Sequence, residues 1–180
     1  GTGDISSFTA TNATTSPIVA TITVTPNANA CAGTAKTFTI TVQPTPVANQ
    51  QSSIVYCGNN QQPGITFTGT TPNTQYVWTS SQNVGFSSGG TSLSSANPSI
   101  GGYGIDPLSQ VVSNVSVTPQ IVIGGLTCSG SNMTFTVTVN PTPIVNAVAS
   151  QTVCNGAATT TLAFTGNQGS ATYNWTNSNT

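Results

Sequence analysis

Apolar residues in this chain fall on alternate positions, and threonine fills many of the gaps between them. Phe38, Ile40 and Val42 share one face of such a stretch, as do Phe135, Val137 and Val139, and Ala20, Ile22 and Val24. A period of two sends successive side chains to opposite faces of a strand. Ile65 with Phe67, and Leu162 with Phe164, start shorter strands, while Tyr76 with Trp78 and Tyr173 with Trp175 mark a further type. No helical period competes, and β-branched Thr and Val suit a pleated, half-buried surface. Turn residues separate the stretches at Cys57-Gly58-Asn59-Asn60, Ser88-Gly89-Gly90 and Ile100-Gly101-Gly102.

The pattern is written more than once. Thr37-Phe38-Thr39-Ile40-Thr41-Val42-Gln43-Pro44-Thr45-Pro46 returns as Thr134-Phe135-Thr136-Val137-Thr138-Val139-Asn140-Pro141-Thr142-Pro143, a shift of 97. The same shift carries Cys31 to Cys128, Cys57 to Cys154, Phe67 to Phe164, Gly69 to Gly166, Tyr76 to Tyr173 and Trp78 to Trp175. A repeat this long is a domain rather than a solenoid unit. Pro-Thr-Pro ends the last strand of each copy, because proline cannot continue a ladder. Residues 47–143 then make one complete module, 1–46 the C-terminal part of a preceding one, and 144–180 the N-terminal part of a following one. On this expectation the natural protein is longer than the 180 residues.

About seven short strands per copy predict an all-β fold, a two-sheet antiparallel sandwich with its apolar stripes facing inward. The aromatics Phe38, Phe67, Tyr76, Trp78, Phe135, Phe164, Tyr173 and Trp175 are expected in cores. The competing reading makes Tyr76 and Trp78 an exposed platform for stacking sugars. The Ser- and Gly-rich stretch from Val84 to Gly104 reads as a long loop and a ligand-facing surface.

Charge changes the picture sharply. Lys36 is the only cation and Asp4 and Asp106 the only anions, with no Arg, Glu or His. Nucleic acids and anionic membrane surfaces need clustered basic residues, so both are excluded as partners. No stretch approaches the roughly 18 apolar residues of a membrane-spanning helix. A net charge of −1 gives copies little mutual repulsion and favours association.

Val153-Cys154-Asn155-Gly156, Leu162-Ala163-Phe164-Thr165-Gly166 and Tyr173-Asn174-Trp175-Thr176-Asn177-Ser178 together resemble the PKD-like and immunoglobulin-like tandem repeats of giant Bacteroidetes surface adhesins. Ile5-Ser6-Ser7-Phe8-Thr9-Ala10-Thr11-Asn12 and the Phe-Thr-(Ile/Val)-Thr-Val-x-Pro-Thr-Pro strand ends carry the same resemblance. It covers essentially the whole chain. It implies immunoglobulin-like sandwich modules in a secreted or bacterial cell-surface protein, exported by the type IX route and acting in adhesion, gliding or matrix formation. The acidic Trp-Asp-Phe-Gly-Asp-Gly motif of PKD domains is missing, and the 84–104 loop departs from the usual short form.

Cys31, Cys57, Cys128 and Cys154 read as disulfide cysteines in an extracellular chain. The resemblance implies one bridge per module, Cys57 with Cys128, closing about 70 residues and worth roughly 4 kcal/mol. Staples across the boundaries, Cys31–Cys57 and Cys128–Cys154, compete with it, because sandwich geometry can place Cys57 and Cys128 at opposite ends. No metal site is expected without His or Cys-x-x-Cys, and no thiol nucleophile without an activating base. Acid–base catalysis needs a positioned titratable pair. Lys36, aligned with Met133 in the next copy, and the two aspartates supply none at repeat-equivalent places. A Lys–Asn isopeptide bond is conceivable only at Lys36.

The expectation is a non-enzymatic segment with no cofactor or metal, a stalk or spacer in surface adhesion whose partners are neighbouring modules. A subunit of a self-assembling filament, partnered by identical copies, and a module binding surface glycans are the alternatives.

Overall fold

The structure is a computed structural model that describes residues 1–59, 64–86, 89–92, 99–100 and 104–178. Among them there is no helix. In chain order the strands are β1 (Ile18–Val24), β2 (Asn27–Ala28), β3 (Cys31–Ala32), β4 (Lys36–Val42), β5 (Ile54–Cys57) and β6 (Ile65–Thr66). They continue with β7 (Gln75–Ser80), β8 (Gly89–Ser92), β9 (Ser99–Ile100), β10 (Val111–Ile123), β11 (Leu126–Ser129) and β12 (Met133–Asn140). The fold is all-β and compatible with a β-sandwich.

The main sheet has six strands in the order β5-β12-β10-β7-β8, with β11 pairing β10 beyond the end of β12. β5 runs parallel to β12, and the other pairings are antiparallel. Alternation does the sorting. Ser113, Val115, Val117, Pro119 and Ile121 of β10 are buried, as are Met133, Phe135, Val137 and Val139 of β12. The short β6–β9 pair forms a separate ladder. Ile65 and Phe67 join Tyr76, Trp78, Val84 and Phe86 in one core with the inward faces of β10 and β12.

Three sequence expectations are corrected here. Ser88-Gly89-Gly90 was expected as a turn, but Gly89 and Gly90 belong to β8 and pair with Thr79 and Trp78. Small residues are required there, since a Cβ on Gly90 would lie 3.2 Å from the Trp78 ring. The expected loop 84–104 begins instead as core, with Val84 and Phe86 buried on either side of Gly85. Its residues 87–88, 93–98 and 101–103 lie outside the described ones, as does most of the Ile100-Gly101-Gly102 turn. Finally, the strands expected at Leu162–Phe164 and Tyr173–Trp175 are absent among the described residues. A strand needs a neighbour to take its backbone hydrogen bonds; β7 has β10 and β8, whereas the 144–178 segment pairs with no strand.

The flanking segments mirror parts of the centre. β1 pairs β4 from Ile18↔Val42 to Val24↔Lys36, the register in which β10 pairs β12 from Val111↔Val139 to Val117↔Met133, and β2 pairs β3 at Ala28↔Cys31 as β10 pairs β11 at Ile121↔Cys128. Asn49 N donates to Thr68 O at 2.8 Å, and Asn146 N to Thr165 O at 2.7 Å. Phe67 and Tyr76 rings lie 5.7 Å apart at 40°, Phe164 and Tyr173 rings 5.9 Å apart at 35°.

Candidate functional site

Side chains able to do chemistry are few and scattered. Among the described residues, no group of three or more His, Cys, Asp or Glu could hold a metal ion. Asp106 is occupied structurally, its Oδ1 accepting the Thr142 N–H at 2.9 Å. Tyr56 donates to the Val84 carbonyl across the core edge. Burial raises the phenol pKa values of Tyr56 and Tyr76 above the ordinary 10.0, which keeps both rings neutral.

All four cysteines are unbridged thiols. The expected Cys57–Cys128 bridge is corrected by the strand register. Cys57 stands opposite Asn140, one residue past the Val139↔Val111 pair, while Cys128 stands opposite Ile121. Eleven residue steps along the ladder separate those levels, about 36 Å at ~3.3 Å per residue. A disulfide needs Cα atoms within about 7 Å. The boundary staple Cys31–Cys57 fares no better within one chain, because Cys31 lies past the end of β4 remote from Pro44 and Cys57 at the far end of the main sheet.

The eight expected core aromatics divide in two. Phe67, Tyr76, Trp78 and Phe135 are buried, with Phe135 edge-on to Phe67 at 6.5 Å and Trp78 edge-on to Phe86 at 5.5 Å. Tyr76 and Trp78 therefore offer no face to a sugar. Phe38, Phe164 and Trp175 are corrected to exposed positions, and Tyr173 is half-buried. Each is the counterpart of a buried residue, but the face that would cover it is not packed there.

Two kinds of surface remain. The first is the pair of Pro-Thr-Pro junctions. At one, Pro44 and Pro46 are fully buried, Gly130 is pressed against the Pro46 carbonyl, and Gly69 against the Val47 carbonyl. At the other, Gly58 N donates to Asn140 O at 2.6 Å and Thr142 Oγ1 to Gly58 O at 2.9 Å. Asn167 ties the following segment down, donating to Thr142 O and accepting from Ile144 N, both at 3.0 Å. Gly130 N also bonds Pro119 O, and Asn140 follows the Val139↔Val111 pair, so the junctions lie eight β10 residues apart. That is about 26 Å, at opposite ends of the main sheet. The repeated Gly69 and Gly166 signalled one of these close approaches in the sequence; nothing in the sequence signalled Asn167 or Asp106.

The second kind is apolar. β1 and β4 expose Ile18, Val19, Val24 and Phe38. At the other end an open groove of about 430 Å³ is lined by Pro143, Ile144, Val145, Phe164, Tyr173 and Trp175 among others. No protein-family model, curated protein or solved structure matches the chain.

Proposed function

We propose that this chain is a run of immunoglobulin-like modules repeating every 97 residues, and that it serves as a stalk or spacer in an extracellular, cell-surface adhesive protein. The observation that carries this reading is the placement of the two junctions at opposite ends of the main sheet. Modules joined that way add length along one axis, which is what a projecting stalk needs. The sheet order supports the immunoglobulin-like assignment: a hairpin-linked β10 and β12 lie beside β7, which carries a buried tryptophan. The uncharged Thr, Ser and Asn surface supplies hydration without reactive groups, and the resemblance to Bacteroidetes adhesin repeats points to the same setting and export route.

Immunogold labelling of intact source cells with antibody against residues 47–143, followed by rotary-shadow microscopy of the released protein, tests it. The expected result is surface label and thin beaded threads. Label confined to the cell interior, or compact particles without threads, would sink the reading.

A further inference from the structure

Where tension enters and leaves a folded module decides how its hydrogen bonds share the load. β5, the first strand of the unit read as residues 47–143, and β12, its last, are neighbours in the main sheet. They run parallel, from Ile54↔Val137 to Cys57↔Asn140. The chain comes to β5 from the Pro46 junction and leaves β12 at the Asn140 junction, so the two tails depart from opposite ends of the pair. Ladder bonds run across the strands. A pull along the axis therefore slides β5 past β12 and strains all the bonds between them together.

Side chains lengthen this seam beyond the ladder. Gln50 Nε2 donates to Thr134 O at 3.0 Å, and Ser53 Oγ accepts from Thr136 N at 3.2 Å and from Thr136 Oγ1 at 2.9 Å. At the other end Gly58 N donates to Asn140 O at 2.6 Å, and Thr142 Oγ1 to Gly58 O at 2.9 Å. Ile54 and Tyr56 pack against the core, and the Tyr56 hydroxyl donates to the Val84 carbonyl. β1 and β4 are arranged the opposite way. They are antiparallel with Ile18 opposite Val42, so Pro17 and Gln43 leave from one end and a pull opens that ladder one pair at a time.

We propose that the β5–β12 seam is a shear clamp that keeps the module folded while it is stretched end to end, with Gln50, Ser53 and Thr142 as additional fastenings. The clamp rests on the stalk reading for the source of the tension, though not for its bond geometry.

Magnetic tweezers holding the full chain by its two ends at constant force test it. The β1–β4 pair is expected to open first. Residues 47–143 should yield later in one step of about 320 Å, from ~3.6 Å per extended residue less the ~26 Å already spanned. A second tether runs from the Cys57 thiol to the C terminus, with Cys31→Ser, Cys128→Ser and Cys154→Ser leaving one thiol. Both of its attachments pull from the Asn140 end of the seam, so β5 peels away pair by pair. At equal force the module should then unfold at least about tenfold faster, since single bonds resist in turn. Held end to end, Gln50→Ala and Ser53→Ala should each unfold about fivefold faster, the weight of one hydrogen bond, with little change in urea midpoint. Ser113→Ala, away from the seam, should lower the midpoint and leave that rate nearly unchanged. Near-UV circular dichroism from the buried Trp78 checks the core of each variant, and the tether comparison alters no fastening of the seam. Equal lifetimes in the two tethers, a central module that opens before β1–β4, or folded Gln50 and Ser53 variants as long-lived as wild type would each overturn the clamp. Those results would leave the stalk reading standing, whereas label confined to the cell interior would remove the stalk and leave a measured clamp in place.

Discussion

At the scale of single residues, backbone crowding and burial decide which positions tolerate change. A Cβ at Gly69 would run into the Val47 carbonyl, a backbone atom anchored nearby by Asn49 N to Thr68 O. Gly69→Ala is expected to destabilise by about 2 kcal/mol through overpacking. Gly124, at φ +57° with nothing within 4 Å, should lose only about 1 kcal/mol on the same change, from the left-handed backbone alone. Urea midpoints of the two variants separate crowding from conformation. The same titration contrasts Phe135→Ala, which empties a core site and should cost about 3–5 kcal/mol, with Phe38→Ala, which should cost less than about 0.5 kcal/mol. One aromatic in one repeated phrase thus has two prices, set by what faces it.

Titration belongs to this scale too. With no histidine in the chain, nothing of that kind responds near neutrality. Tyr56 and Tyr76 have pKa values raised by burial, so on alkaline titration the unfolded chain ionises first, near 10.0. Between the unfolded and folded values the native state binds more protons, and stability falls with rising pH. The tyrosine contribution is fully present below the unfolded value and is lost as pH climbs past it through the folded one. Urea midpoints at neutral and alkaline pH check this, and Tyr56→Phe should flatten part of the slope. A midpoint that rises in alkali would contradict the sign.

At the scale of elements, β4 and β12 were plain in the sequence because nothing interrupts their alternation. β10, the longest strand, was not, because Pro119 falls inside it. Proline is tolerated there because the neighbouring strand on that edge changes at that point from β12 to β11, and the Pro119 carbonyl takes the Gly130 N–H. The counterpart in the first copy is Pro26, whose carbonyl takes the Gly33 N–H in the same way and which lies just past the end of β1 at Val24, so the strand reads cleanly there only because it stops before the proline. Gly89-Gly90 was mistaken for a turn because composition reports flexibility, whereas the glycines are there to admit the Trp78 ring. The polar end of the β7–β10 pair was equally hidden. Ser113 is buried, shares a 2.7 Å hydrogen bond with Ser80 Oγ, and accepts Gln82 N at 3.1 Å. Ser113→Ala should cost about 1–3 kcal/mol by stranding buried partners, and thermal melts beside the exposed control Ser109→Ala would read it out. The candidate surfaces were least legible, since a period-two stripe says which face is apolar but not whether anything covers it.

For the whole molecule, three charged side chains leave electrostatics almost no part in association. What holds the fold is the burial of apolar area, which strengthens in the presence of excluded salts such as sulfate and is not screened by sodium chloride. The urea midpoint should therefore change little from dilute buffer to molar sodium chloride and rise in sulfate, as a denaturation series in each salt would show. Covalent linkage offers an independent check on the same axis. Since the register holds Cys57 and Cys128 about 36 Å apart, oxidation cannot join them inside a folded chain. Peptide mapping of oxidised material should yield no intrachain Cys57–Cys128 peptide, and any bridge should migrate as a reducible oligomer. Recovering that intrachain peptide from folded monomer would mean that the β10 ladder is paired differently, and the opposite-end junctions on which a linear array depends would go with it.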